Sequence, residues 1–129
     1  IFSFYVGWKY CSVSTPPPTV VTSPASSISD SGARLNGTAD PNGASTSAWF
    51  EWGISTAYGN TTAPASSVGS GTSAVSYNFN LGSLQCGTTY HFRAVAQNSG
   101  GTEHGSDKSF ATANCEPGEL IFMSGFELD

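Results

Sequence analysis

The sequence predicts an all-β protein, and three observations carry that prediction. Apolar and polar residues alternate with period two in several short runs, as in strands with one buried side. The polar content is mostly Ser, Thr, Asn and Gly. That is poor helix material, because Gly loses backbone entropy and Ser and Asn compete for backbone hydrogen bonds. Fifteen Gly and seven Pro break the runs with turns, while aromatic residues, at 12%, supply a core. The 129 residues suffice for one ordinary domain with tails.

The first element is Ile1–Tyr10, IFSFYVGWKY. Phe2, Phe4, Val6, Trp8 and Tyr10 share one face, and Ser3, Gly7 and Lys9 share the other. A strand this apolar needs a partner. Ser12–Pro18 reads as a linker, since Pro16–Pro18 favour stiff polyproline II and cannot continue a ladder. It is expected to hold the first strand away from the rest of the chain.

Seven further strand candidates lie between Thr19 and Thr112. Thr19–Thr22 comes first, then Ala33–Thr38, ended by the turn signal Asp40-Pro41-Asn42-Gly43. Thr46–Gly53 places Ala48, Phe50 and Trp52 on one face, with Trp49 and Glu51 on the other. A short strand is expected near Ala57–Tyr58 or a little later, followed by a low-complexity loop, Thr61–Ser73. Ala74–Leu81 sets Val75, Tyr77, Phe79 and Leu81 against Ser76, Asn78 and Asn80. Thr88–Gln97 sets Tyr90, Phe92, Ala94 and Ala96 against His91, Arg93 and Val95. Lys108–Thr112 is the last, after a loop over 98–107. The tail, Leu120–Leu128, alternates again and carries Glu116, Glu119, Glu127 and Asp129 without a base. The chain thus divides into a strand over residues 1–11, a linker over 12–18, a folded unit over 19–115 and an acidic tail strand over 116–129.

Cys11, Cys86 and Cys115 show neither zinc-site nor CxxC spacing. Cys86 and Cys115 flank a strand pair, and a disulfide there would close a loop of about 30 residues. It would imply an oxidising compartment and secretion; two buried thiols are the alternative. Cys11 bonds another chain, stays free, or has a partner outside this sequence. The N-terminus lacks a basic region and alternates, so it does not read as a signal peptide.

Leu84-Gln85-Cys86-Gly87-Thr88-Thr89-Tyr90, followed by Phe92-Arg93-Ala94-Val95-Ala96, resembles the turn into strand F of fibronectin type III domains. Phe50-Glu51-Trp52-Gly53 is similar to strand C of bacterial members, and Asn98-Ser99-Gly100-Gly101 to their F–G turn. The resemblance covers about residues 17–112. It implies a fibronectin type III/immunoglobulin-like seven-strand sandwich, here with extra N- and C-terminal strands. It also implies that the Tyr90 hydroxyl bonds nearby backbone, as a tyrosine corner. Cys86 stands where the family usually has Pro, consistent with an added disulfide, and Leu35 replaces the usual strand-B tryptophan. The tail Ile121-Phe122-Met123-Ser124-Gly125-Phe126-Glu127 is similar to short C-terminal endings of secreted proteobacterial proteins, which would put Asp129 near a natural end.

Four Lys/Arg against nine Asp/Glu give a net charge of −5, which argues against nucleic acid as a partner. No apolar run approaches the about 20 residues of a membrane-spanning helix. No cofactor or metal motif is present, and an enzyme is not expected. His91 and Arg93 are expected to face outward beside Trp49 and Glu51, with Glu51 and Arg93 as a cross-strand ion pair. A metal site from His91, His104 and Glu103 is disfavoured. Trp49, His91 and Arg93 mark a candidate ligand face, with Trp49 and Trp8 as stacking platforms for polysaccharide. Asn36-Gly37-Thr38 and Asn60-Thr61-Thr62 match the glycosylation acceptor pattern, but chance matches are common in such a composition.

The leading functional expectation is an extracellular, cell-surface filament of copies of this chain. Phe2, Phe4, Val6, Trp8 and Tyr10 would add as a donor strand to the next subunit, and Cys11 would lock the joint. The alternative is a spacer or carbohydrate-binding accessory module of a larger secreted bacterial protein.

Overall fold

The computed structural model describes residues 15–115. The expected donor strand, Cys11 and the acidic tail strand lie outside them. The described residues form β1 (Thr19–Ser26), β2 (Ala33–Asp40), β3 (Thr46–Gly53), β4 (Asn60–Thr61), β5 (Ser66–Gly69), β6 (Val75–Leu81), β7 (Thr89–Asn98), β8 (Gly101–His104) and β9 (Lys108–Ala111). All pairings are antiparallel. One sheet has the order β1–β2–β6. The other runs β9–β7–β3–β4, with β5 also on β3 and β8 also on β7.

The alternation predicted in β3 and β7 sets the core. Ala48 and Phe50 face inward from β3, and Tyr90, Phe92, Ala94 and Ala96 from β7; all are buried. Phe50 stacks on Tyr77 of the opposite sheet, with ring centroids 4.7 Å apart. Phe110 closes the far side against Tyr90 and Phe92. Leu35, in the place of the usual tryptophan, is fully buried. Burial of each such large side chain stabilises by roughly 1.5–3 kcal/mol.

Tyr77 carries a hydroxyl into this core. Burial pushes its pKa up. Its O–H donates to the Trp49 carbonyl at 2.9 Å and its oxygen accepts from the Val95 N–H at 3.2 Å, bridging β3 and β7. Tyr90 forms the expected corner, its hydroxyl accepting from the Gln85 N–H at 2.9 Å.

Cys86 and Cys115 are disulfide-bonded, their Cα atoms 4.9 Å apart across 29 residues. The bridge ties the turn before β7 to the segment after β9. Gly87 N–H donates to the Ala113 carbonyl at 2.7 Å, and Thr112 Oγ1 donates to the Gln85 carbonyl at 2.6 Å.

Three features differ from the sequence reading. Ser66–Gly69 is a strand inside the low-complexity stretch, and Gly101–His104 is a strand inside the expected 98–107 loop. Each is short and lacks an apolar alternation of its own; each forms because a long neighbour, β3 or β7, offers a free ladder edge. The prolines are also seated on the sandwich. Asn98 Nδ2 donates to the Pro16 carbonyl at 3.0 Å and Asn42 Nδ2 to the Pro17 carbonyl at 2.7 Å, and Pro18 is buried.

Candidate functional site

The pleat that buries Phe50 and Phe92 turns Trp49, Glu51, His91, Arg93 and Val95 to the outer face of the larger sheet. Register places Trp49 opposite Val95, Glu51 opposite Arg93 and Gly53 opposite His91. Trp49, His91 and Arg93 therefore share one face, as expected. Val95 is fully buried although it points away from the core, flanked in register by Trp49 and by His104 of β8. Trp49 is half-buried.

Glu51 and Arg93 form the expected cross-strand pair. Arg93 Nε and Nη2 both reach Glu51 Oε1, each at 2.7 Å. Glu51 Oε2 points away from this contact, with His104 Nε2 4.0 Å from it, beyond hydrogen-bonding distance.

A loop then folds back over the pair. Gly53 permits this: a Cβ there would strike the Tyr58 carbonyl, so no larger residue fits without moving the loop. The turn is closed by Tyr58 N–H donating to the Ser55 carbonyl at 3.0 Å. Tyr58 itself has a left-handed backbone, φ 59°, which costs a non-glycine residue roughly 1–2 kcal/mol. Its side chain offsets that cost. The phenol donates to Asp107 Oδ1 at 2.8 Å, and Arg93 Cζ sits 4.8 Å from the ring centroid. Burial first, then the hydrogen bond to Asp107 and its negative charge, push the Tyr58 pKa up to about 12, against the opposing pull of Arg93. Asp107 Oδ2 lies 3.1 Å from His91 Nδ1, so one carboxylate links the loop to β7.

The result is an open cleft of about 350 Å³ bounded by Glu51, Thr56, Tyr58, Asn60, Thr61 and Arg93. Sequence reasoning found Glu51 and Arg93 by alternation but missed Tyr58, Asn60 and Asp107, which lie outside the alternating runs. Gly59 was the available turn signal, and in the structure Tyr58 and Gly59 both have positive φ. His91 contacts Asp107, whereas His104 lies near Glu51 without a hydrogen bond to it. Among the described residues no group of three His, Cys, Asp or Glu side chains is arranged to hold a metal. Trp8, the second expected stacking ring, lies outside the described residues.

No family model matches the chain. No curated protein matches it by sequence. Solved structures do resemble it. The short form of the sensor domain of the anti-sigma factor RsgI4 in Pseudobacteroides cellulosolvens has a TM-score of 0.60 at 19% identity, covering 79% of this chain and 100% of that one. The long form has a TM-score of 0.55 at 19% identity, covering 82% and 99%. A fibronectin type III domain from the human KIAA0970 protein has a TM-score of 0.49 at 21% identity, covering 76% and 75%. At these identities the likeness concerns the fold. The fold is a fibronectin type III/immunoglobulin-like sandwich with a Cys86–Cys115 disulfide.

Proposed function

We propose that this chain is a non-catalytic accessory module of a larger extracytoplasmic protein, and that the outer face of its larger sheet holds a polysaccharide. The observation that carries the reading is the Tyr58 loop, kept in a strained backbone over the Glu51–Arg93 pair with Trp49 on the same face. Strain of this kind persists where surrounding contacts hold it, and it clusters at ligand sites. The disulfide favours an oxidising compartment. The sensor domain it resembles is likewise one part of a larger protein, an anti-sigma factor.

The filament expected from residues 1–10 and Cys11 depends on segments outside those described, and no feature of residues 15–115 favours it over the module. The test is retention on a panel of insoluble polysaccharides. The intact chain is expected to bind at least one, and Trp49→Ala to release it. Equal retention of the two proteins would place the contact elsewhere, and retention of neither would leave only a spacer.

A further inference from the structure

We infer that the polysaccharide taken by this face is uncharged, and that Glu51 and Arg93 grip adjacent hydroxyls of one sugar ring. The inference rests on the module reading above and specifies its ligand.

The hydrogen-bond capacity left in the cleft supports it. Glu51 Oε1 takes both Arg93 bonds, which leaves Oε2 as an acceptor with His104 Nε2 4.0 Å away. Arg93 uses Nε and Nη2 on Glu51, which leaves Nη1 without a hydrogen bond among the described residues. A spare carboxylate oxygen beside a spare guanidinium N–H is a matched acceptor and donor. One sugar hydroxyl can donate to Oε2 while its neighbour accepts from Nη1. Asn60 lines the same cleft. Its Nδ2 donates to the Trp52 carbonyl at 3.2 Å, leaving Oδ1 as a second acceptor.

Charge then selects the polymer. Glu51 lines the cleft with Arg93, whose charge it already pairs, and Asp107 lies behind the Tyr58 phenol that bounds it. Arg34 lies on β2 in the other sheet, and Lys108 is in register with the inward-facing Phe92. Among the described residues a polyanion would meet no unpaired Lys or Arg here, and the chain carries a net charge of −5. Trp49 adds an apolar surface two residues from Glu51 on the same strand face, roughly 7 Å along the strand. That spacing lets one ring sit in the grip while the next lies over the indole.

The test is electrophoresis of the intact chain through gels containing hydroxyethyl cellulose, xyloglucan or galactomannan, and through gels containing polygalacturonate or alginate. Retardation is expected in an uncharged gel, insensitive to added salt, and absent in the anionic gels. Glu51→Gln is expected to weaken it about tenfold, the loss of one charged hydrogen bond. Ser76→Ala, on the other sheet, should leave it unchanged. Thermal unfolding of each variant reports whether the fold survives. Should Glu51→Gln fail to fold, the salt dependence of the intact chain still decides between polymers. Retardation by the anionic polymers alone, or binding that falls with salt, would overturn the inference and leave the module reading standing. Full binding by a folded Glu51→Gln would overturn the grip. Retardation in none of the gels would overturn both inference and module reading.

Discussion

Replacing Tyr77 with Phe tests whether a single buried hydroxyl holds the two central strands together. The ring and its stack on Phe50, at 4.7 Å between centroids, remain. Only the oxygen leaves, and with it the bonds to the Trp49 carbonyl and the Val95 N–H. Both are backbone groups of strands buried under the core. An orphaned buried group costs about 1–3 kcal/mol. Removing a hydroxyl that was itself desolvated returns part of that, so the net loss is about 2 kcal/mol. In urea, at a slope of roughly 1–3 kcal/mol per molar, the midpoint should fall by about 1 M with the slope unchanged. Tyr90→Phe provides the scale. It orphans the Gln85 N–H in a part-buried turn, so it should cost less, about 1 kcal/mol. A Tyr77→Phe loss below about 0.5 kcal/mol would refute the reasoning. It would mean that Trp49 and Val95, already opposite in register, close on each other without the hydroxyl.

The remaining predictions concern the bridge, the loop and the pH response. Cys86→Ser with Cys115→Ser should lower stability by about 3.5 kcal/mol on the loop-entropy estimate for 29 residues, read as a shift in chemical denaturation. Gly53→Ala should displace the Tyr58 loop with little effect on the core, so backbone amide exchange should rise at residues 54–59 and polysaccharide binding should fall. Ultraviolet titration should show Tyr58 ionising near pH 12, and Asp107→Asn should lower that value without restoring 10.0, because burial is the larger cause. Folding raises the Tyr58 pKa, so the folded state holds this proton more tightly. The stability this provides is intact below pH 10.0 and lost as pH rises through about 12.

Most of the sandwich was legible because its long strands alternate. In β3 and β7 one parity is aromatic or small and apolar, so Phe50, Phe92 and Ala94 announced the core and Glu51 and Arg93 the outer face. The short strands β5 and β8 were not legible, since their sequences, SSVG and GTEH, carry no apolar alternation and are recruited by a neighbour's free backbone groups. Tyr77 was legible as a core residue; that its hydroxyl would bridge two backbones of the facing sheet was not, because that depends on a packing distance. The site was half-legible for the same reason. Residues on regular strands declare their face by parity, whereas Tyr58 and Asp107 sit in turns whose direction is set by tertiary contacts.

Those contacts give the site and a break in the fold a common cause. The last strand does not run continuously beside β7: β8 ends at His104 and β9 starts at Lys108. Between them the ladder is repaired by other groups. Gly105 N–H donates to the Ala94 carbonyl at 2.7 Å, and Thr22 Oγ1, from β1 of the other sheet, accepts from the Ala94 N–H at 3.0 Å. Gly105 must be glycine for this, since a Cβ there would strike Thr22 Oγ1. The break satisfies the buried Ala94 backbone and also frees residues 105–107 from the pleat. Asp107 then reaches both His91 and Tyr58 on the outer face. Continued without the break, the β8 register would set residue 107 opposite the inward-facing Phe92, whereas the β9 register, shifted by one residue, sets it opposite Arg93 on the outer face. The irregularity in the last strand is therefore what allows the sandwich to carry the cleft.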